Sequence, residues 1–125
     1  MAPWLVILEK EANNPMVKSQ NSNSSLVSAQ ISVQILVSGR VQGVGFRRFV
    51  QRQASEISIQ GWVRNLFDGR VEVRAKGPEA LIHQFFERVK AGPAFSHVEF
   101  VTINPIDDFV VEDGSFSVIP DGDFR

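Results

Sequence analysis

The stretch Ile31-Ser32-Val33-Gln34-Ile35-Leu36-Val37-Ser38-Gly39-Arg40-Val41-Gln42-Gly43-Val44-Gly45-Phe46-Arg47-Arg48-Phe49-Val50 changes its period partway along. Ile31, Val33, Ile35 and Val37 alternate with Ser32, Gln34 and Ser38, which predicts a strand with one buried face. Leu36 interrupts the polar set, so part of the second face is expected to be covered too. Beyond the glycines at 43 and 45, Phe46, Phe49, Val50, Ala54 and Ile57 recur at helical spacing and predict a helix over 46–57.

Working outward, residues 59–66 read as a strand anchored by Trp62, a core or core-edge residue. Asp68-Gly69 is a hairpin signal. Val71, Val73 and Ala75 then alternate with Glu72, Arg74 and Lys76 in a return strand. Gly77-Pro78-Glu79 opens a second helix, whose stripe is Leu81, Ile82, Phe85, Phe86 and Val89, and Gly92-Pro93 stops it. A strand over about 96–103, an acidic loop and a short last strand at Phe116 and Val118 complete the pattern. The order is βαββαβ, an α+β, ferredoxin-like sandwich with two helices on one face of a four-stranded antiparallel sheet. That fold serves RNA binders, metal carriers, regulatory domains and enzymes alike, so the site has to decide the function.

The first 29 residues differ in character. Ser19-Gln20-Asn21-Ser22-Asn23-Ser24-Ser25 buries too little apolar surface to offset the entropy of ordering it. Residues 1–29 are expected to be a disordered extension, with Met16 a second candidate start and docking of Trp4–Leu8 on the domain or a partner left open. The folded unit is expected over 30–120 and a flexible tail over 121–125. Trp4-Leu5-Val6-Ile7-Leu8 is too short for a membrane span and lacks the basic flank of a secretion signal, so a cytoplasmic protein off the membrane is expected.

Composition narrows the chemistry. In 125 residues, 43% apolar and 22% charged, there is no Cys, which removes disulfides, thiolate metal sites and a Cys nucleophile. His83 and His97 are the only histidines and read as surface residues, so a metal centre would rest mostly on carboxylates. Asp107-Asp108 and Glu112-Asp113 lack the spacing and glycine of an EF-hand loop and read as a solvated acidic loop. Ten Phe suggest a core rich in rings. A net charge of -1 gives no footprint for nucleic acid or a membrane surface, so any anion must be held locally.

The segment Gly39–Arg48 offers such a place. Its glycines allow close backbone approach, and it ends where a helix begins, so free N–H groups and the helix dipole converge. Helix N-termini favour Asp and Glu, yet Arg47 and Arg48 stand in the first turn with Arg40 nearby. A bound phosphate reverses that mismatch, and guanidinium suits it. Other glycine loops are excluded: Arg48 stands where a dinucleotide fingerprint needs Gly, no Gly-Lys-Ser/Thr follows, and Val41 stands where a Cys-x5-Arg phosphatase loop needs Cys. A plain tight turn with solvated arginines stays open. Asn65, ending an apolar strand, reads either as a turn residue or as an amide that holds water or a substrate oxygen.

Together, Gly39-Arg40-Val41-Gln42-Gly43-Val44-Gly45-Phe46-Arg47 and Gly61-Trp62-Val63-Arg64-Asn65 resemble the acylphosphatase family. The likeness extends over about 31–119, including Asp68-Gly69-Arg70-Val71 and Ser115-Phe116-Ser117-Val118-Ile119. It implies cofactor-free and metal-free hydrolysis of a small acyl phosphate, without a covalent intermediate. Arg47 would bind the phosphate, Asn65 would orient water, and Gln42, Gly43, Val44, Gly45 and Phe46 would surround the phosphate with backbone amides. Ser58 stands where the family usually has Gly, a departure worth about 1 kcal/mol or less at the helix end. The extension and the tail fall outside the likeness and are expected to stand apart from the chemistry. The chain is expected to be monomeric. Three alternatives use the same fold: a phosphometabolite sensor, an RNA-binding module, and a carbamoyl phosphate domain of a hydrogenase-maturation protein. RNA binding would call for exposed aromatics that Val71-Glu72-Val73-Arg74-Ala75 lacks.

Overall fold

A computed structural model describes residues 5–7 and 29–124. The elements run β1 (Leu5–Ile7), β2 (Gln30–Arg40), α1 (Phe46–Glu56), β3 (Gln60–Asn65), β4 (Val71–Pro78), α2 (Glu79–Ala91), β5 (His97–Pro105) and β6 (Phe116–Val118). The change of period in the opening stretch is thus the passage from β2 through a glycine turn into α1. Pro78 keeps extended dihedrals as the residue before α2, so the second helix begins at Glu79.

The sheet order is β1-β5-β2-β4-β3-β6. Its inner four strands, β5-β2-β4-β3, pair antiparallel throughout and form the ferredoxin-like core. The outer strands correct the expectation of four antiparallel strands. The chain reverses once after β5, so β6 runs in the direction of β3 and pairs parallel with it; the sheet is mixed. Leu5–Ile7, inside the extension expected to lack a fold, pairs antiparallel with Val101–Ile103. Unpaired edge groups on β5 are what such a strand satisfies. The remaining residues of the extension through residue 28 lie outside the described residues.

The core follows the predicted periods. Val33, Ile35 and Val37 of β2, Val63 of β3, and Val71, Val73 and Ala75 of β4 are buried against the helices. Phe46, Val50 and Ala54 come from α1, and Ile82, Phe85, Phe86 and Val89 from α2. Phe116 closes one end, edge-on to Phe85 with ring centroids 5.8 Å apart. Not all rings serve the core: Phe67, Phe95, Phe100 and Phe124 are exposed, against the expectation from composition.

The other face of the sheet is polar. Trp62 lies there half-buried, with the Arg64 and Arg74 guanidinium carbons 5.3 and 5.6 Å from its ring centroid. Glu72 is buried on that face, accepting from Arg64 Nε and Gln34 Nε2 at 2.8 Å each. The expected acidic loop is partly tied down: Asp108 meets Lys76 Nζ at 2.9 Å, and Asp113 accepts from the Ser115 hydroxyl at 2.7 Å. The Lys76 contact lowers the Asp108 pKa and the Ser115 hydroxyl lowers that of Asp113. His83 and His97 are exposed, as predicted.

Candidate active site

The turn between β2 and α1 is held open by backbone conformation. Gly43 and Gly45 take φ of 77° and 80°, a region closed to most side chains. A Cβ on either would meet no protein atom within 4 Å, so the space above both is free. Gly45 is the residue before α1; the helix has no side-chain cap bond and no acid in its first turn. Its first N–H groups therefore lack a side-chain acceptor, and the cations Arg47 and Arg48 follow at the positive end of the dipole.

An open cleft of about 890 Å³ lies over this turn, lined by Gly43, Gly45, Phe46, Arg47 and Asn65 among others. The arginine and the asparagine, 18 positions apart in the chain, thus face one space. Gln42 and Val44 are not among its lining residues. The Gln42 side chain instead donates through Nε2 to the carbonyls of Leu66 and Arg70, both at 2.8 Å. It fastens the turn to the β3–β4 hairpin, where the Arg70 side chain holds the Asp68 carboxyl below its usual range. The sequence showed Gln42 only as a source of a backbone amide; its tie needs a partner 24 residues away.

Asn65 is not a turn residue. It pairs with Val71 as the last residue of β3, and the hairpin turn lies beyond it, closed by the Gly69 N–H on the Leu66 carbonyl at 3.0 Å. The residue is buried, 8% exposed, and its Oδ1 has no hydrogen-bond partner. A buried acceptor without a partner is costly, about 1–3 kcal/mol, and calls for a ligand or water.

The C-terminal segment corrects a further expectation. Instead of standing away from the chemistry, Asp121 Oδ1 lies 3.4 Å from Arg47 Nη1. Gly122 donates to the Asn65 carbonyl at 3.1 Å and accepts from the Phe67 N–H at 2.9 Å. Arg64 Nη2 donates to the Asp123 carbonyl, and the Arg70 guanidinium stacks 4.8 Å from the Phe124 ring centroid. Residues 121–124 are thus packed along the end of β3. Nothing in the local sequence pointed Asp121 at Arg47.

The cleft continues along α1 past Arg48, Gln51, Arg52 and Ser55. These positions follow i, i+3, i+4, i+7 from Arg48, one stripe of a helix, a spacing legible in the sequence once Arg48 is placed beside the cleft. Among the described residues there is no cluster of three or more His, Asp or Glu able to hold a metal ion, and no helix long and apolar enough to cross a membrane.

Known proteins resemble this chain in sequence and in fold. The acylphosphatase family model matches residues 33–118. An acylphosphatase of Bacillus velezensis is 54% identical over 69 residues, 55% of this chain and 77% of that protein. One from Koribacter versatilis is 42% identical over 96 residues, 77% of this chain and 84% of that one. In structure, the acylphosphatase of Bacillus subtilis superposes with a TM-score of 0.67 at 43% identity, covering 71% of this chain and 98% of its own. Full-length HypF in its phosphate- and nucleotide-bound form gives a TM-score of 0.71 at 27% identity, but the match takes in only 13% of that protein. With the family match spanning both the glycine turn and the strand that ends at Asn65, the chain belongs to the acylphosphatase family.

Proposed function

We propose that this member of the family hydrolyses acyl phosphates to a carboxylate and inorganic phosphate, with no covalent intermediate, metal or cofactor. The phosphate sits over Gly43 and Gly45, within the backbone amides of Gln42 to Phe46. The Arg47 guanidinium stabilises the charge on its equatorial oxygens. Asn65 Oδ1 accepts a hydrogen from a water molecule and turns the water's lone pair toward phosphorus. The new P–O bond forms as the bond to the acyl oxygen breaks; the carboxylate departs with that electron pair, and a phosphate oxygen takes the water proton. Phosphoryl transfer through a loose transition state needs positioning and charge stabilisation more than covalent help. A carboxylate leaves without a general acid, which suits a cleft whose described lining holds no histidine.

The observation that carries this reading is the buried, unpartnered Asn65 Oδ1 in the same cleft as Arg47 and the two glycines. On this reading the protein works as a cytoplasmic monomer on a small molecule and not on nucleic acid; on the polar sheet face the two arginines beside Trp62 are already paired with the Glu72 carboxylate. The test is benzoyl phosphate hydrolysis in the presence of a chelator. Wild-type protein is expected to turn over unaffected by the chelator, with Arg47→Ala and Asn65→Ala each lowering kcat/KM by about 100-fold or more. Wild-type turnover retained in both variants would overturn the assignment. Phosphate binding without turnover would make the protein a sensor instead.

A further inference from the structure

We propose that the acyl groups this site prefers carry a second anion, such as the distal carboxylate of a dicarboxylic monoacyl phosphate, read by Arg48 and Arg52. The proposal rests on the acyl phosphate reading above and adds the substrate class. Its basis is the stripe of α1 along which the cleft continues beyond Arg47. Arg48, Gln51, Arg52 and Ser55 span about 10 Å of helix at 1.5 Å per residue, room for an acyl group leading away from the phosphate.

The charges on that stripe are unbalanced. Arg64, Arg70, Arg74 and Arg88 are each within 4.0 Å of a carboxylate, and Arg47 meets Asp121. Arg40, Arg48 and Arg52 have no ion-pair partner among the described residues, and of these Arg48 and Arg52 are exposed on the cleft. They stand at i, i+4, where like charges on a helix repel, and α1 carries no acid in its first turn to offset them. Gln51, between them on the stripe, is already engaged, donating through Nε2 to the Phe116 carbonyl at 3.1 Å. Two arginines are therefore left facing the path of the acyl group. The phosphate's own charge is already met at the turn by Arg47. A carboxylate one helical turn further along would relieve the Arg48–Arg52 repulsion and take the planar fork of either guanidinium.

Two nearly isosteric probes isolate the distal charge: para-carbamoylbenzoyl phosphate and para-carboxybenzoyl phosphate. Wild-type protein at low ionic strength is expected to favour the carboxylated probe about tenfold in kcat/KM, and the Arg48→Gln, Arg52→Gln double variant to bring the ratio near unity. Because the readout is a ratio, a general loss of activity cancels. A second measurement needs no variant: added salt erodes the wild-type preference, as expected for charges at an exposed site. Equal rates on the two probes in wild type, or a preference that survives the double substitution or high salt, would overturn the proposal. Failure of wild type to hydrolyse either probe would instead overturn the acyl phosphate reading on which it rests.

Discussion

At the scale of single residues, Ser58 shows how a local departure is absorbed. Its φ is 61°, the left-handed conformation at which a side chain costs about 1–2 kcal/mol. The position is imposed by hydrogen bonding at the end of α1. The Ile59 N–H reaches the Ala54 carbonyl at 2.9 Å and the Ser58 N–H that of Ser55 at 3.3 Å, the pair of bonds that closes a Schellman motif. Glycine takes that conformation without the Cβ penalty, though it loses more freedom on folding. Ser58→Gly is therefore expected to raise the unfolding free energy by about 0.5–1 kcal/mol, read from urea denaturation midpoints at unchanged slope. A fall in stability would show that the serine side chain contributes something the backbone account omits.

Among the elements, the segment after β6 acts on the site most directly. Its backbone is fixed to β3 through Gly122, which carries Asp121 to Arg47. Both partners are substantially solvated, with 39% and 49% of their side chains exposed, so the pair is weak and a phosphate dianion can displace it. Asp121→Asn is expected to tighten inorganic phosphate, measured as a competitive inhibitor of benzoyl phosphate hydrolysis, by about two- to fivefold at low salt. The gain should fade as ionic strength rises. Unchanged inhibition would mean that the carboxylate leaves Arg47 free in solution.

Across the whole molecule, periodicity accounts for what was legible and distance for what was not. The inner four strands, both helices and the buried stripes of β2 and α2 followed from spacing, because each buries one face on a common core. The glycine turn was readable for a similar local reason: positive φ and cations at a helix N-terminus leave a mark in ten residues. The parallel pairing of β6 was not, since three residues carry no register until the rest of the sheet presents an edge. Docking of Trp4–Leu8 on the domain was left open by the sequence, but the pairing of Leu5–Ile7 with β5 was not legible, nor was the placement of Asp121 on Arg47, each made by residues far apart in the chain. Asn65 lay between these cases. Its type at a strand end was a signal with two readings; its pairing inside β3 rules out the turn residue, and the buried Oδ1 supports the water-holding amide proposed above. That choice is the centre of the functional account, and it is tested by measuring kcat and the phosphate inhibition constant together in Asn65→Ala. A water-positioning amide predicts that kcat falls by about 100-fold or more while phosphate inhibition stays within about threefold of wild type. Preserved kcat, or phosphate inhibition weakened as much as kcat, would contradict it.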